Sequence, residues 1–320
     1  MILTVTPNPA LDMTWQVDRL EPGHSHRVEA GLSRAGGKGL NVARVLHQQG
    51  ERVMALTTAG GVVGAELRAD LEASGLVHRL IPVVAETRRS LTLVDESAAS
   101  ATVLNEFGAA PTAAETAELW DAVLSAGSQA RVVAISGSQP RDADPIALIS
   151  AIAALRAQGV PVLVDTSGAA LIDAAEAGAT ALKPNHHELA EATGSADVMS
   201  AAHALLRRGP TLVLVSQAED GMLLVHRDGR AVRARFPEVV RGNATGAGDA
   251  VSAAISVSLA GDPALTAHDG LEVLARRAAA WGAAAVAAPQ AGELDPGIAG
   301  RTADVIITPA SAASPLEGAS

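Results

Sequence analysis

Residues 242–254 read Gly-Asn-Ala-Thr-Gly-Ala-Gly-Asp-Ala-Val-Ser-Ala-Ala, a glycine-rich turn running straight into a helix. The helix is signalled by Val251, Ile255 and Leu259 on one face. Gly246 and Gly248 permit backbone angles closed to other residues, and the small Ala250, Ser252, Ala253 and Ala254 let the turn lie close to another backbone or a ligand. Amide N–H groups then point out of a helix start, where the macrodipole adds roughly half a positive charge. That is an anion site made of backbone. One carboxylate, Asp249, stands inside it. Two readings are open on this stretch alone. Asp249 is a proton acceptor beside a transferring phosphoryl group, or it is an acid favoured by the helix dipole and nothing more.

A second glycine turn, Gly36-Gly37-Lys38-Gly39-Leu40-Asn41, opens another helix. Further polar residues follow apolar strand-like runs: Gly137-Ser138 after 132–136, Thr166-Ser167 after 162–165, Lys183-Pro184-Asn185 after 181–182, and Ser216 to Gly221 after 212–215. Asn185 and Glu188 lie three apart at a helix start. Their oxygens suit magnesium, and equally a capping box. Arg88-Arg89 is either a solvated pair or a phosphate clamp. The run 59–64 imitates a degenerate dinucleotide fingerprint, but residues 79–85 do not supply the acidic residue expected at the end of the next strand. The adjacent His186 and His187 would point apart on a helix and read as surface residues; no HExxH, GxSxG or GxxxxGK[ST] occurs.

Regular alternation of strand and helix positions these residues. Strands are expected at 2–6, 53–57, 132–136, 162–165, 181–183 and 212–216, with a hairpin at 222–226 and 230–235. Helices are expected at 112–126, 145–158, 169–177, 187–193, 196–208 and 271–287, besides those that follow the glycine turns. Such units imply a wound, mostly parallel α/β sheet flanked by helices, with ligands at the carboxyl ends of the strands. Four short strands, at 13–17, 27–32, 90–94 and 101–104, do not fit and pair into a small β-sheet lid. The core is then 1–9, 33–86 and 107–309, the lid 10–32 and 87–106, and 310–320 a flexible tail. The 320 residues carry 48% hydrophobic content but no Tyr, two Phe and three Trp, so the core is aliphatic. With a net charge of −11 and few aromatics, neither nucleic acid nor an anionic membrane is an expected partner. The absence of Cys and of a signal-like start fits a cytoplasmic protein.

Two separated motifs, Gly36-Gly-Lys-Gly-Leu-Asn41-Val-Ala and Thr245-Gly-Ala-Gly-Asp249-Ala, together make the chain resemble the PfkB (ribokinase-like) carbohydrate kinases over residues 1–308. Asn8-Pro-Ala-Leu-Asp12, Thr87-Arg88, Ser136-Gly-Ser138-Gln-Pro140 and Lys183-Pro-Asn185-x-x-Glu188 are similar to the branch whose substrates are sugar phosphates. The resemblance implies ATP-dependent phosphorylation of a ketohexose phosphate, fructose 1-phosphate being the leading substrate. Asp249 would be the base, and the amides of Ala247, Gly248 and Asp249, with Gly246, the anion hole. Asp12, Gly37 and Asn41 would hold sugar hydroxyls. Arg88 with Lys38, Arg27 and Ser138 would hold the phosphate already present. Lys183, Asn185, Ser216, Gly221 and Thr245 would line the ATP site, with Asn185 and Glu188 organising Mg2+. Many relatives also bind a monovalent cation, and the lid often makes a homodimer contact. Tagatose 6-phosphate, fructose 6-phosphate, an unphosphorylated sugar or nucleoside, and a non-catalytic binding role are the alternatives. Asn243, Ala244, His24-Ser25-His26 and 287–292 depart from the family pattern.

Overall fold

The computed structural model describes residues 1–98, 100–265 and 269–310. The tail expected at 310–320 therefore lies, from residue 311, outside the described residues. In chain order the strands are β1 (Ile2–Thr6), β2 (Ala10–Val17), β3 (Leu32–Gly36), β4 (Val53–Ala59), β5 (His78–Pro82), β6 (Arg88–Asp95), β7 (Ser100–Asn105), β8 (Val132–Ser136), β9 (Val162–Asp165), β10 (Ala181–Leu182), β11 (Leu212–Ser216), β12 (Met222–His226), β13 (Ala231–Arg235) and β14 (Ile306–Pro309). The helices are α1 (Lys38–Gln48), α2 (Gly61–Ala73), α3 (Ala113–Gly127), α4 (Pro145–Ala157), α5 (Ala169–Glu176), α6 (His186–Thr193), α7 (Val198–Leu206), α8 (Ala247–Gly261), α9 (Gly270–Ala287) and α10 (Pro296–Ala299).

Ten strands form one sheet in the order β14-β13-β12-β11-β10-β9-β8-β1-β4-β5. From β5 to β11 all neighbours are parallel. β12, β13 and β14 extend the edge antiparallel. The parallel strands are apolar on both faces because helices cover both. Ile2, Ala55, Ala134 and Leu163 face α1, α2, α8 and α9. Leu3, Val5, Val133 and Val164 face α3, α4, α5 and α7. Alternation along each strand splits one apolar run between two cores. Alanine makes the first core thin: Ala250, Ala253 and Ala254 of α8 and Ala275, Ala278 and Ala279 of α9 are all buried. That brings α8 close to the sheet.

The remaining strands form a separate four-stranded sheet, β3-β2-β6-β7. Its central pair, β2 and β6, is parallel although the two are distant in sequence. The expected strand at 27–32 is displaced to Leu32–Gly36. Gly31 explains part of this, since it lies against the Trp15 ring where any side chain would collide. The alternation of Val28, Ala30 and Leu32 belongs mostly to an irregular segment. β5 and β14 were not expected. His-Arg-Leu-Ile-Pro in β5 has no period of two, and β14 is an edge strand with a single partner.

Candidate active site

The two glycine turns meet. Asn41 on α1 donates from Nδ2 to Asp249 Oδ2 at 2.8 Å, across 208 residues of sequence. Gly246 caps α8 with φ of +89°, and a side chain there would run into Ala291. Asp249 sits in the first turn of α8, only 6% exposed. Its carboxyl borders a cavity of about 690 Å³. The cavity floor comes from carboxyl ends of the parallel strands (Asn8, Gly137, Ser138, Thr166, Ser167). Its walls are the starts of α1 and α8. Its roof is the small sheet, through Asp12, Arg88, Ser90 and Asn105.

The electrostatics are uneven along this cavity. Burial, and then the charge of Asp165, push Asp249 up to about 7, against the pull of Lys38, Asn41 and Lys183. Asp165 ends β9 and is fully buried. Burial alone would raise it, but Lys183 and Lys38, each 3.1 Å away, hold it below the ordinary carboxylate range. Ser252 Oγ donates to it at 2.9 Å. Lys38 is held above its ordinary range chiefly by Asp165, and its ammonium also lies 3.8 Å from Glu188. At the far end, burial pushes Asp12 up to about 6 although Arg88 opposes this. The Asp12 carboxyl occupies the space a side chain on Gly36 would need, so glycine at 36 is what lets it fold back.

Most of the residues expected from sequence line this one cavity: Asp12, Gly37, Lys38, Asn41, Arg88, Ser138, Glu188, Thr245, Gly246, Gly248 and Asp249. Ala247, Lys183, Asn185, Ser216 and Gly221 do not. The Ala247 amide donates to Ala244 O at 3.2 Å, so that N–H is used inside the turn. Lys183 lies beneath Gly248, 3.3 Å from where a side chain there would begin. Asn185 and Ser216 form an isolated parallel bridge beside the cavity, and Gly221 closes the turn after Ser216 with φ of +85°. Lys38 does not sit with Arg88; it points to Asp165 and Glu188.

The capping box is formed. Glu188 N–H donates to Asn185 Oδ1 and Asn185 N–H to Glu188 Oε2, each at 2.8 Å. Glu188 Oε1 remains turned towards Lys38. Among the described residues no group of three or more His, Cys, Asp or Glu could hold a metal ion. Glu188 Oε1, left out of the capping box, is a hard carboxylate oxygen of the kind a phosphate-borne magnesium ion takes.

His186 and His187, expected to point apart, instead bring their rings to 3.9 Å between centroids. Both stand in the first turn of α6, His186 half-buried and His187 exposed. The imitation fingerprint at 59–64 is closed from within. Glu86 Oε1 accepts the Val63 N–H at 2.8 Å, and the Glu86 carboxylate lies where a side chain on Gly61 would be. A carboxylate of the chain itself thus fills the start of α2. Sequence reading missed Asp165, which looks like any polar residue ending a strand. It also passed over Asn8 as a ligand-side residue, though it stands in the Asn8–Asp12 motif.

One cavity thus holds a raised carboxylate at a helix start, an ammonium near it and a guanidinium at the far end, an arrangement suited to phosphoryl transfer onto a hydroxyl. Comparisons with known proteins agree. The pfkB family carbohydrate kinase model matches residues 8–296. The 1-phosphofructokinase of Xanthomonas campestris pv. campestris is 36% identical over 269 residues, covering 81% of this chain and 84% of that protein. The ATP-dependent 6-phosphofructokinase isozyme 2 of Mycobacterium tuberculosis is 36% identical over 266 residues, 81% of this chain and 77% of its own. Phosphofructokinase-2 of Escherichia coli in complex with fructose-6-phosphate superimposes with a TM-score of 0.84 at 29% identity, over 94% of this chain and 99% of that one. The same enzyme in complex with potassium gives 0.85 at 28% identity over the same shares. The chain belongs to the pfkB family of carbohydrate kinases. Membership makes it an ATP-using enzyme, usually with Mg2+. Among the described residues no helix is long and apolar enough to cross a membrane.

Proposed function

We propose that this kinase transfers the γ-phosphoryl group of ATP to a fructose phosphate, fructose 1-phosphate first, giving fructose 1,6-bisphosphate. The observation that carries the reading is Asp249, buried at the start of α8 and hydrogen-bonded by Asn41, where burial pushes its carboxyl well above the ordinary range. As base it would take the proton of the sugar hydroxyl as that oxygen attacks phosphorus in line. Gly248 and Asp249 amides would receive the developing charge. Lys38 would act at the transferring phosphoryl rather than at the sugar phosphate, since it faces Glu188 and Asp165.

Asp12, Gly37 and Asn41 would hold the sugar hydroxyls, and Arg88 with Ser138 its phosphate. Lys183, Asn185, Ser216, Gly221 and Thr245 would border the nucleotide. Glu188, with Asn185 behind it, would hold the magnesium ion, which neutralises phosphate charge when bound. A monovalent cation is a further candidate ligand, and the potassium complex of the Escherichia coli relative supports a cation though not its place. The small sheet would be the lid. Its face away from Asp12 carries Trp15, Leu91, Leu93 and Leu104, apolar and incompletely buried, which supports a homodimer through it. The cytoplasm, where ATP is plentiful, is the expected location.

ADP release measured with ATP against fructose 1-phosphate, fructose 6-phosphate, tagatose 6-phosphate and ribose tests the proposal. Highest kcat/KM with fructose 1-phosphate is expected. Preference for ribose would overturn it.

A further inference from the structure

We propose that Arg141, held against Phe107, is a second arm of the clamp for the phosphate that the sugar already carries, working with Arg88. The inference rests on the substrate reading above.

The cavity is lined by three permanent cations, Lys38, Arg88 and Arg141, and by four carboxylates, Asp12, Glu106, Glu188 and Asp249. Lys38 is engaged by Asp165 and Glu188. Arg88 feels the charges of Asp12 and Glu106. Its N–H groups are partly used: Nε and Nη2 donate to Asn8 O at 3.3 Å, and Nη1 to Glu106 O at 2.9 Å. A phosphate monoester brings roughly two negative charges. Arg88 alone, so opposed, is a weak counter-charge for it. Arg141 has no carboxylate within ion-pair distance among the described residues.

Geometry explains how an otherwise mobile side chain is readied for this task. The Arg141 guanidinium lies 4.3 Å from the centroid of the Phe107 ring. Phe107 is 73% exposed, a large apolar ring standing at the mouth of a polar cavity. The ring holds the guanidinium without accepting its N–H groups as a carboxylate would, which leaves them available to a phosphate. A planar fork of this kind meets two phosphate oxygens at once.

Asn8 sets the spacing of the two arms. It is buried, and its Nδ2 lies within hydrogen-bonding distance of Phe107 O (3.0 Å), Ser138 Oγ (3.2 Å) and Gln139 O (3.4 Å). Its own carbonyl takes Arg88. One residue thereby ties the loop bearing Phe107, the loop bearing Arg141 and the guanidinium of Arg88 into one corner. Asn8 and Phe107 are positioning residues here, and Arg141 is a binding residue.

The test is steady-state kinetics of wild type, Arg141→Gln and Phe107→Leu, varying fructose 1-phosphate and ATP separately. Loss of a charge-assisted contact predicts at least about a tenfold rise in KM for the sugar phosphate in Arg141→Gln. The KM for ATP and kcat should stay within about twofold of wild type. Phe107→Leu should raise the same constant several-fold, because the fork is kept but loosened. A sugar-phosphate KM unchanged in Arg141→Gln, or an equal rise for ATP, would overturn the inference while leaving the kinase reading intact. A wild-type protein inactive on every sugar phosphate would overturn both.

Discussion

The hydrogen bond from Asn41 to Asp249 gives a prediction whose size follows from the structure. Asp249 ionises near pH 7 because burial and Asp165 outweigh the groups that favour its charge. Asn41 Nδ2, at 2.8 Å, is one of those groups. Asn41→Leu removes the donor and leaves the carboxylate buried. A hydrogen bond to a charged group contributes roughly 1.5–3 kcal/mol, and one pKa unit is about 1.36 kcal/mol. The low end of that range moves the acid limb of kcat/KM upward by about one unit. At pH 7 the ionised fraction then falls from about one half to about one tenth, a loss of roughly fivefold from titration alone. The sign is fixed: losing a partner of the charged form raises a carboxyl pKa. Any lost sugar contact lowers the whole profile without moving its limb. The assay is kcat/KM for the sugar phosphate from about pH 5.5 to about pH 9.5 in wild type and variant, a range that brackets both limbs. An acid limb that stays in place or moves down would refute the reasoning.

Gly246→Ala should destabilise the fold by on the order of 1–2 kcal/mol, since φ is +89° and the new side chain meets Ala291. It should also raise the KM for ATP more than that for the sugar; chemical denaturation and kinetics check both. Glu86→Ala should lower stability by on the order of 1–2 kcal/mol, because the Val63 amide at the start of α2 loses its acceptor. Neither wild type nor this variant should bind NAD when titrated by fluorescence.

How much of this was legible in sequence depends on how far apart the partners lie. The starts of α1 and α8 were readable because glycine, helix periodicity and a polar residue sit within a few positions of one another. The same local logic offered a capping box as one of two readings of Asn185 and Glu188, and the box is formed. Asp165 was not readable. It acquires meaning only from Lys38, 127 residues before it, and from Lys183 and Ser252. Arg141 and Phe107 likewise meet through tertiary packing alone. The position of β3 was misjudged because alternation at 28–32 competed with the pairing of Arg34 opposite Asp12, which no local pattern announces. The glycine run at 60–64 matched a pattern that Glu86, more than twenty residues on, closes.

The most direct test is turnover of Asp249→Asn with ATP and fructose 1-phosphate, alongside nucleotide binding to the same variant. The amide preserves the shape of the side chain but takes no proton. General-base action is worth on the order of 10²–10⁴ in rate, so kcat should fall by at least about a hundredfold. Nucleotide affinity should change little. Near-normal kcat in the Asp249→Asn variant would contradict the assignment of Asp249 as the base.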